Sequence, residues 1–247
     1  MDKQQAYREL VQKRKAAEFP AGLQNPSQIA AGQFDCEQLG PWSLWQGNLD
    51  ADLLVIGQDW GDDNYFVRNQ GRDTDDNPTN RGLRKLLSNI GLDPGLPSAP
   101  TTQPLFFTNA VLGIKSGGMS AELKHDWLRH SSVHFTAPLI EIVQPRLIVT
   151  VGISAFKALR LIFPSLPYES MNGLLKCPPF HLPGKRILFA MSHCGGLGLA
   201  NRTMEEQLRD WQKIAPYLQN PVSPLSKKLE QKVKQEIDYY RFLKGEA

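Results

Sequence analysis

The sequence predicts a three-layer α/β/α sandwich with a central four-stranded, mostly parallel sheet and further helices at the N- and C-terminal ends. Three observations carry that expectation. Four short apolar runs do not alternate with polar residues, the pattern of strands covered on both faces. Helix-length segments separate these runs, so strand and helix alternate along the chain. The 247 residues, 41% hydrophobic and 21% charged, are enough for a large domain with its own core.

Residues 1–50 open with a polar helix over 3–18. An irregular wrap rich in Gly, Pro, Gln and Trp follows, and its Trp42 and Trp45 pack over a core edge. The α/β domain occupies 51–215. Its first strand is Leu-Leu-Val-Ile at 53–56, followed by a helix over 81–90 that Gly91 ends. The second strand is Leu-Phe-Phe at 105–107, followed by a helix over 122–143 that ends before Pro145. The third is Leu-Ile-Val-Thr-Val at 147–151, followed by a helix over 154–163 that ends before Pro164. The fourth is Ile-Leu-Phe-Ala-Met at 187–191. Residues 216–247 form a linker and a last helix reaching about Leu243. Leu229, Val233, Ile237 and Tyr240 share one stripe of it. This helix either docks on the domain or reaches toward DNA or a partner.

Composition excludes several classes. A disordered, collagen-like or disulfide-stapled chain does not fit these percentages. No apolar run is long enough to span a membrane, and the charged start MDKQQAYRELVQKRK is unlike a signal peptide. The 28 Lys and Arg against 25 Asp and Glu give a net charge of +3, which permits nucleic-acid binding without arguing for it. Cys36, Cys177 and Cys194 are isolated, so neither structural disulfides nor a cysteine metal site is expected, and a reducing cytoplasm fits.

The chemistry gathers behind the strands. The first runs into Gly57-Gln58-Asp59-Trp60-Gly61, the second into Thr108-Asn109-Ala110-Val111, the third into Gly152-Ile153-Ser154 and the fourth into Ser192-His193-Cys194-Gly195-Gly196-Leu197-Gly198. Right-handed crossovers bring parallel strand ends to one edge, where such folds bind ligands. A carboxylate such as Asp59 can orient water or stabilise a developing cation. Asn109 offers a donor and an acceptor to an amide-like base edge. His193 can donate to a developing oxyanion. Gly152 and Ser154 open a helix whose free N–H groups suit a phosphate, and the glycines after His193 let backbone approach a ligand.

These four segments together resemble the uracil-DNA glycosylase superfamily over roughly residues 50–215. Gly57-Gln58-Asp59-Trp60 stands where one branch has GQDP, and Thr108-Asn109 followed by apolar residues resembles the thermostable branches. Pro145 through Gly152 and Ala155 match the third element, and His193 stands where a His-Pro pair begins the fourth. The resemblance implies an enzyme that flips a deaminated base such as uracil out of DNA and hydrolyses its N-glycosidic bond. Asp59 and His193 would be catalytic, with Gln58, Trp60 and Asn109 around the base. Gly152, Ser154, Gly195 and Gly196 would lie against phosphates, and Leu197 or Leu199 would fill the vacated stack. The departures are also informative. The iron–sulfur cysteine set of the thermostable branches is missing, so no cofactor is expected. Gly61 replaces the thymine-excluding Tyr of one branch. The expected stacking Phe gives way near Pro78-Thr79, leaving Phe66 or Trp60 for that role, and Cys194 replaces the Pro after His193. The expected partner is damaged DNA, bound by a monomer, with no membrane.

Two rivals stay open. One is a metal-dependent hydrolase built on Asp59, Asp62, Asp63, Asp73, Asp75 and Asp76, although 73–76 also reads as a solvated loop. The other is a nucleic-acid or nucleotide-binding module on the same fold, without chemistry.

Overall fold

The computed structural model describes residues 2–41, 45–46, 48–101, 105–119 and 121–219. Its central sheet has five strands: β1 (Leu53–Gly57), β2 (Leu105–Asn109), β3 (Leu147–Val151), β4 (Phe180–Leu182) and β5 (Arg186–Met191). Their spatial order is β2-β1-β3-β5-β4. The four predicted strands are all parallel, and β4 adds an antiparallel edge beside β5. The sequence concealed β4 because it is three residues long, exposes His181 and is flanked by prolines, so it makes no apolar run.

Strand side chains alternate between faces, and both faces are buried. Leu54, Ile56, Phe106, Ile148 and Leu188 point to one side. There they meet α1 (Lys3–Ala16), α4 (His125–Ser131), α5 (Ala137–Val143) and α6 (Ile153–Ile162). Leu53, Val55, Phe107, Val149, Phe189 and Met191 point to the other. There they meet Leu83, Leu86 and Leu87 of α3 (Pro78–Asn89) and Trp211 of α9 (Met204–Trp211). Truncating a fully buried leucine such as Leu53 or Leu86 to alanine costs about 2–5 kcal/mol. The remaining helices are short: α2 (Asp63–Arg68), α7 (Met171–Leu174), α8 (Gly196–Asn201) and α10 (Ala215–Gln219).

Helix boundaries follow their caps. α3 starts earlier than expected because the Asn77 side chain accepts from the Thr79 N–H at 2.8 Å, and Pro78 sits at the first helical position. The segment expected over 122–143 begins at His125, passes through a π-helical turn at Ser132–Thr136 and stops at Gln144 in the left-handed region. α9 is set by a capping box between Thr203 and Glu206.

Residues 1–50 are bound into this core. Arg14, fully buried, reaches Asp35 at 2.7 Å and donates to the carbonyls of Cys36 and Gln38, which pins the wrap to α1. Trp45 packs as predicted, edge-on to Phe107 with ring centroids 6.0 Å apart, and donates to the Pro94 carbonyl. Trp42 and the expected helix reaching Leu243 lie outside the described residues. Among the described residues, no helix is long and apolar enough to cross a membrane.

Candidate active site

Parallel register decides which side chains meet. Gly57 pairs with Asn109, so the end of β2 lies beside the segment that carries Gln58 and Asp59. The Asn109 amide occupies the space a side chain at Gly57 would need, so glycine there lets Asn109 lie flat against β1. Asn109 is buried and lines the cleft. It faces the same side of the sheet as Phe107, two residues earlier.

The four parallel strand ends open on a cleft of about 1360 Å³. Gln58, Asp59, Trp60, Asn109, Gly152, Ser154, His193, Gly195, Gly196 and Leu197 all line it. Leu199 does not; its N–H is bound into α8 by the Gly195 carbonyl. Leu197 stands at the rim and is 76% exposed, an unusual position for a large apolar side chain.

Asp59 sits in an unexpected setting. Its Oδ2 lies 2.6 Å from Nζ of Lys115, whose side chain is only 3% exposed. The contact is Coulombic rather than a directed hydrogen bond, because this buried oxygen has no well-aligned donor. The ammonium aligns its protons on the carbonyls of Met119 and Ala121, at 2.7 and 3.1 Å. Lys115 was missed in the sequence. The signal was a lone cation straight after the apolar stretch Ala110-Val111-Leu112-Gly113-Ile114, since a charge buried there requires a partner.

His193 is held by backbone. The Gly195 N–H donates to its Nδ1 at 3.1 Å, which leaves the proton of the neutral ring on Nε2. Nε2 has no protein partner among the described residues. Burial pushes the imidazole below the ordinary histidine range, and the Asp59 carboxylate opposes that shift. The ring is therefore a neutral donor at pH 7. Two of the three glycines behind it, Gly195 and Gly198, are required by close contact, whereas Gly196 has open space. A Cβ on Gly195 would stand 2.6 Å from Thr79 Oγ1 and 2.7 Å from the His193 ring, and one on Gly198 would collide with the His193 carbonyl. Cys194 is buried beneath, its thiol pushed up to about 12 by burial and so unreactive.

At the third tip, Gly152 has φ of +98°, and a Cβ there would stand 2.5 Å from Gln58 Nε2. Its N–H donates to the Met191 carbonyl at 2.7 Å, so the expectation that this group holds a phosphate does not stand. The first turn of α6 has no side-chain cap, and its Ile153 and Ser154 line the cleft.

Of the two residues proposed to stack on a base, Phe66 is buried against Ile29 and Ile114, away from the cleft. Trp60 lines the cleft, and so does Phe107, which sequence reasoning had placed only in the core. The acidic residues are dispersed. Asp62 caps α2 through the Tyr65 N–H, and Asp75 accepts from Ser98. Asp73 lines the cleft, and burial pushes it up to about 6 against the opposing hydrogen bonds of Asn80 and Thr74. Among the described residues, no three His, Cys, Asp or Glu side chains converge as metal ligands. All three cysteines are free thiols.

No protein-family model matches the sequence, and no curated protein matches it significantly.

Proposed function

We propose that this cleft hydrolyses the N-glycosidic bond of uracil or another deaminated base flipped out of DNA. The observation that supports this reading best is the meeting of Asp59, Asn109 and His193 at the ends of three parallel strands in one cleft. Breaking the bond leaves positive charge on the sugar and negative charge on the departing base. A carboxylate on one side and a neutral donor on the other oppose those charges where they develop. Asp59 takes the sugar side and orients the attacking water. His193 donates from Nε2 to an oxygen of the leaving base. Asn109 pairs with the base edge through its amide, and Trp60 or Phe107 supplies the stacking surface. Leu197 fills the gap the flipped nucleotide leaves. In this reading the protein acts as a cytoplasmic monomer without a cofactor.

One observation favours a second reading. The charged side chains of the cleft are balanced, with Arg68, Lys115, Lys157 and Arg202 against Asp59, Asp73, Asp76 and Glu122. That lining is less basic than a surface built to grip DNA and suits a nucleotide-binding module without chemistry. The deciding experiment incubates the purified protein with oligonucleotides carrying uracil, hypoxanthine, xanthine or a thymine mismatch, then cleaves abasic sites. Base release from at least one supports the glycosylase; binding without release from any favours the second reading.

A further inference from the structure

Lys115 is the most deeply buried charge bordering the cleft, and its surroundings are fully built. Its backbone pairs with Leu23 on one side and bridges Asp62 on the other. Its ammonium meets Asp59 and the carbonyls of Met119 and Ala121. The turn between them is glycine-hinged, with Gly117 and Gly118 at φ of +101° and +100°. This turn carries Met119 over Gly61, itself at φ of +101°, where a Cβ would stand 2.5 Å from the Met119 sulfur. A single cation thus ties the carboxylate two residues before Gly61 to the turn that walls off Gly61.

We infer that Lys115 is a positioning residue that fixes the Asp59 carboxylate and latches the Met119 turn over the cleft. It is not a nucleophile, because a tetrahedral ammonium with three close acceptors presents no free lone pair. Its charge offsets that of Asp59 before substrate arrives, so the field at His193 is set by the pair and not by the carboxylate alone. The inference rests on the proposed glycosylase reading for its kinetic consequence but not for its electrostatic one.

The two are tested separately. His193 is titrated by NMR in the intact protein, in Lys115→Gln, which keeps hydrogen-bond donors without the charge, and in Asp59→Asn. Other ionisable groups bordering the cleft are Tyr65, Arg68, Asp73, Asp76, Glu122, Lys157, Cys194 and Arg202, and they are common to all three proteins. The His193 midpoint should rise in Lys115→Gln, where the Asp59 charge acts unopposed, and fall in Asp59→Asn. On a released base, Lys115→Gln should lower kcat tenfold or more with KM changed less than threefold, and the acid limb of the rate profile should move to higher pH with His193. Lys115→Arg should restore part of the rate. If Lys115→Gln does not fold, Lys115→Met, which keeps the apolar stem without the charge, takes its place in the titration, and Met119→Gly, which removes the wall and leaves the ion pair, separates the turn from the charge. Met119→Gly should then leave the His193 midpoint in place. A midpoint that moves in Asp59→Asn but not on loss of the Lys115 charge overturns the inference. A midpoint that shifts as expected in a protein that releases no base supports it and sinks the glycosylase reading alone.

Discussion

The Asp59 and His193 ends of the cleft are built by different physics. Asp59 is held by charge, through an ion pair with a buried lysine whose protons also secure a glycine-hinged turn. His193 is held by shape, through a backbone N–H on Nδ1 and glycines at positions where any Cβ would collide with it or with its neighbours. A charge-held group responds to loss of the partner's charge. A shape-held group responds to a single added methyl. The difference teaches that the two members of one site fail under different perturbations, which makes their roles separable.

The strongest way to break the comparison is steric. Gly198→Ala places a methyl against the His193 carbonyl, where the neighbour is backbone and cannot step aside. Base release should fall by at least about a hundredfold and stability by about 1–3 kcal/mol, measured by single-turnover assay and denaturant melts. An unchanged rate would show that the loop after β5 is not held by packing. Direct removal of the groups comes next. Asp59→Asn and His193→Ala should each lower base release by about tenfold to a thousandfold while DNA affinity changes little. Equal losses of binding and rate would show that both residues act on affinity instead.

A smaller effect sharpens the rim. Leu197→Ala should lower turnover on duplex DNA by roughly threefold to tenfold and leave single-stranded substrate nearly unaffected, since only the duplex has a stack to refill. The same loss on both substrates would assign Leu197 to the fold. A separate effect, on stability and not on rate, concerns Asp73, whose carboxyl is pushed up to about 6 by burial. The folded state binds its proton more tightly than the unfolded state does. Its contribution is therefore present below about pH 4 and lost as pH rises through about 6. Asp73→Asn should stabilise the protein by about 1–3 kcal/mol at pH 8 and by well under 1 kcal/mol at pH 4. His193 has the opposite sign. Its lowered pKa makes stability fall as pH drops below the ordinary histidine value. A thermal-melt series from pH 4 to 8 separates the two slopes.

Much of this arrangement was legible in the sequence because it rests on period and punctuation. The four apolar runs give the parallel strands, since residues covered on both faces must be continuously apolar, and Trp45 lies on the core edge where its size suggests. The short edge strand β4 was hidden because three residues beside prolines carry no period. The capping box of Thr203 and Glu206, which marks α9, went unread in the sequence. At the site, the strand tips could be named but not their wiring. Lys115 reaches Asp59 across 56 positions, and only the sheet register and the pairing of Lys115 with Leu23 and Asp62 bring them together. The Gly152 N–H looked free in sequence, yet the neighbouring strand takes it. Phe66 lies in a small core cluster beside Ile29 and Ile114, while Phe107 stays in the main core and, on the face it shares with Asn109, also borders the cleft.

The central claim is that Asp59 and His193 act on opposite charges of one bond-breaking step. Its most direct test is single-turnover base release from DNA carrying uracil or 5-fluorouracil, whose fluorine stabilises the departing anion. A donor to the leaving base matters less when the base leaves easily, whereas a group acting on the sugar matters as before. The account predicts that the deficit of His193→Ala shrinks on 5-fluorouracil and that the deficit of Asp59→Asn does not. Deficits that shrink together, or base release that survives both substitutions, would contradict it.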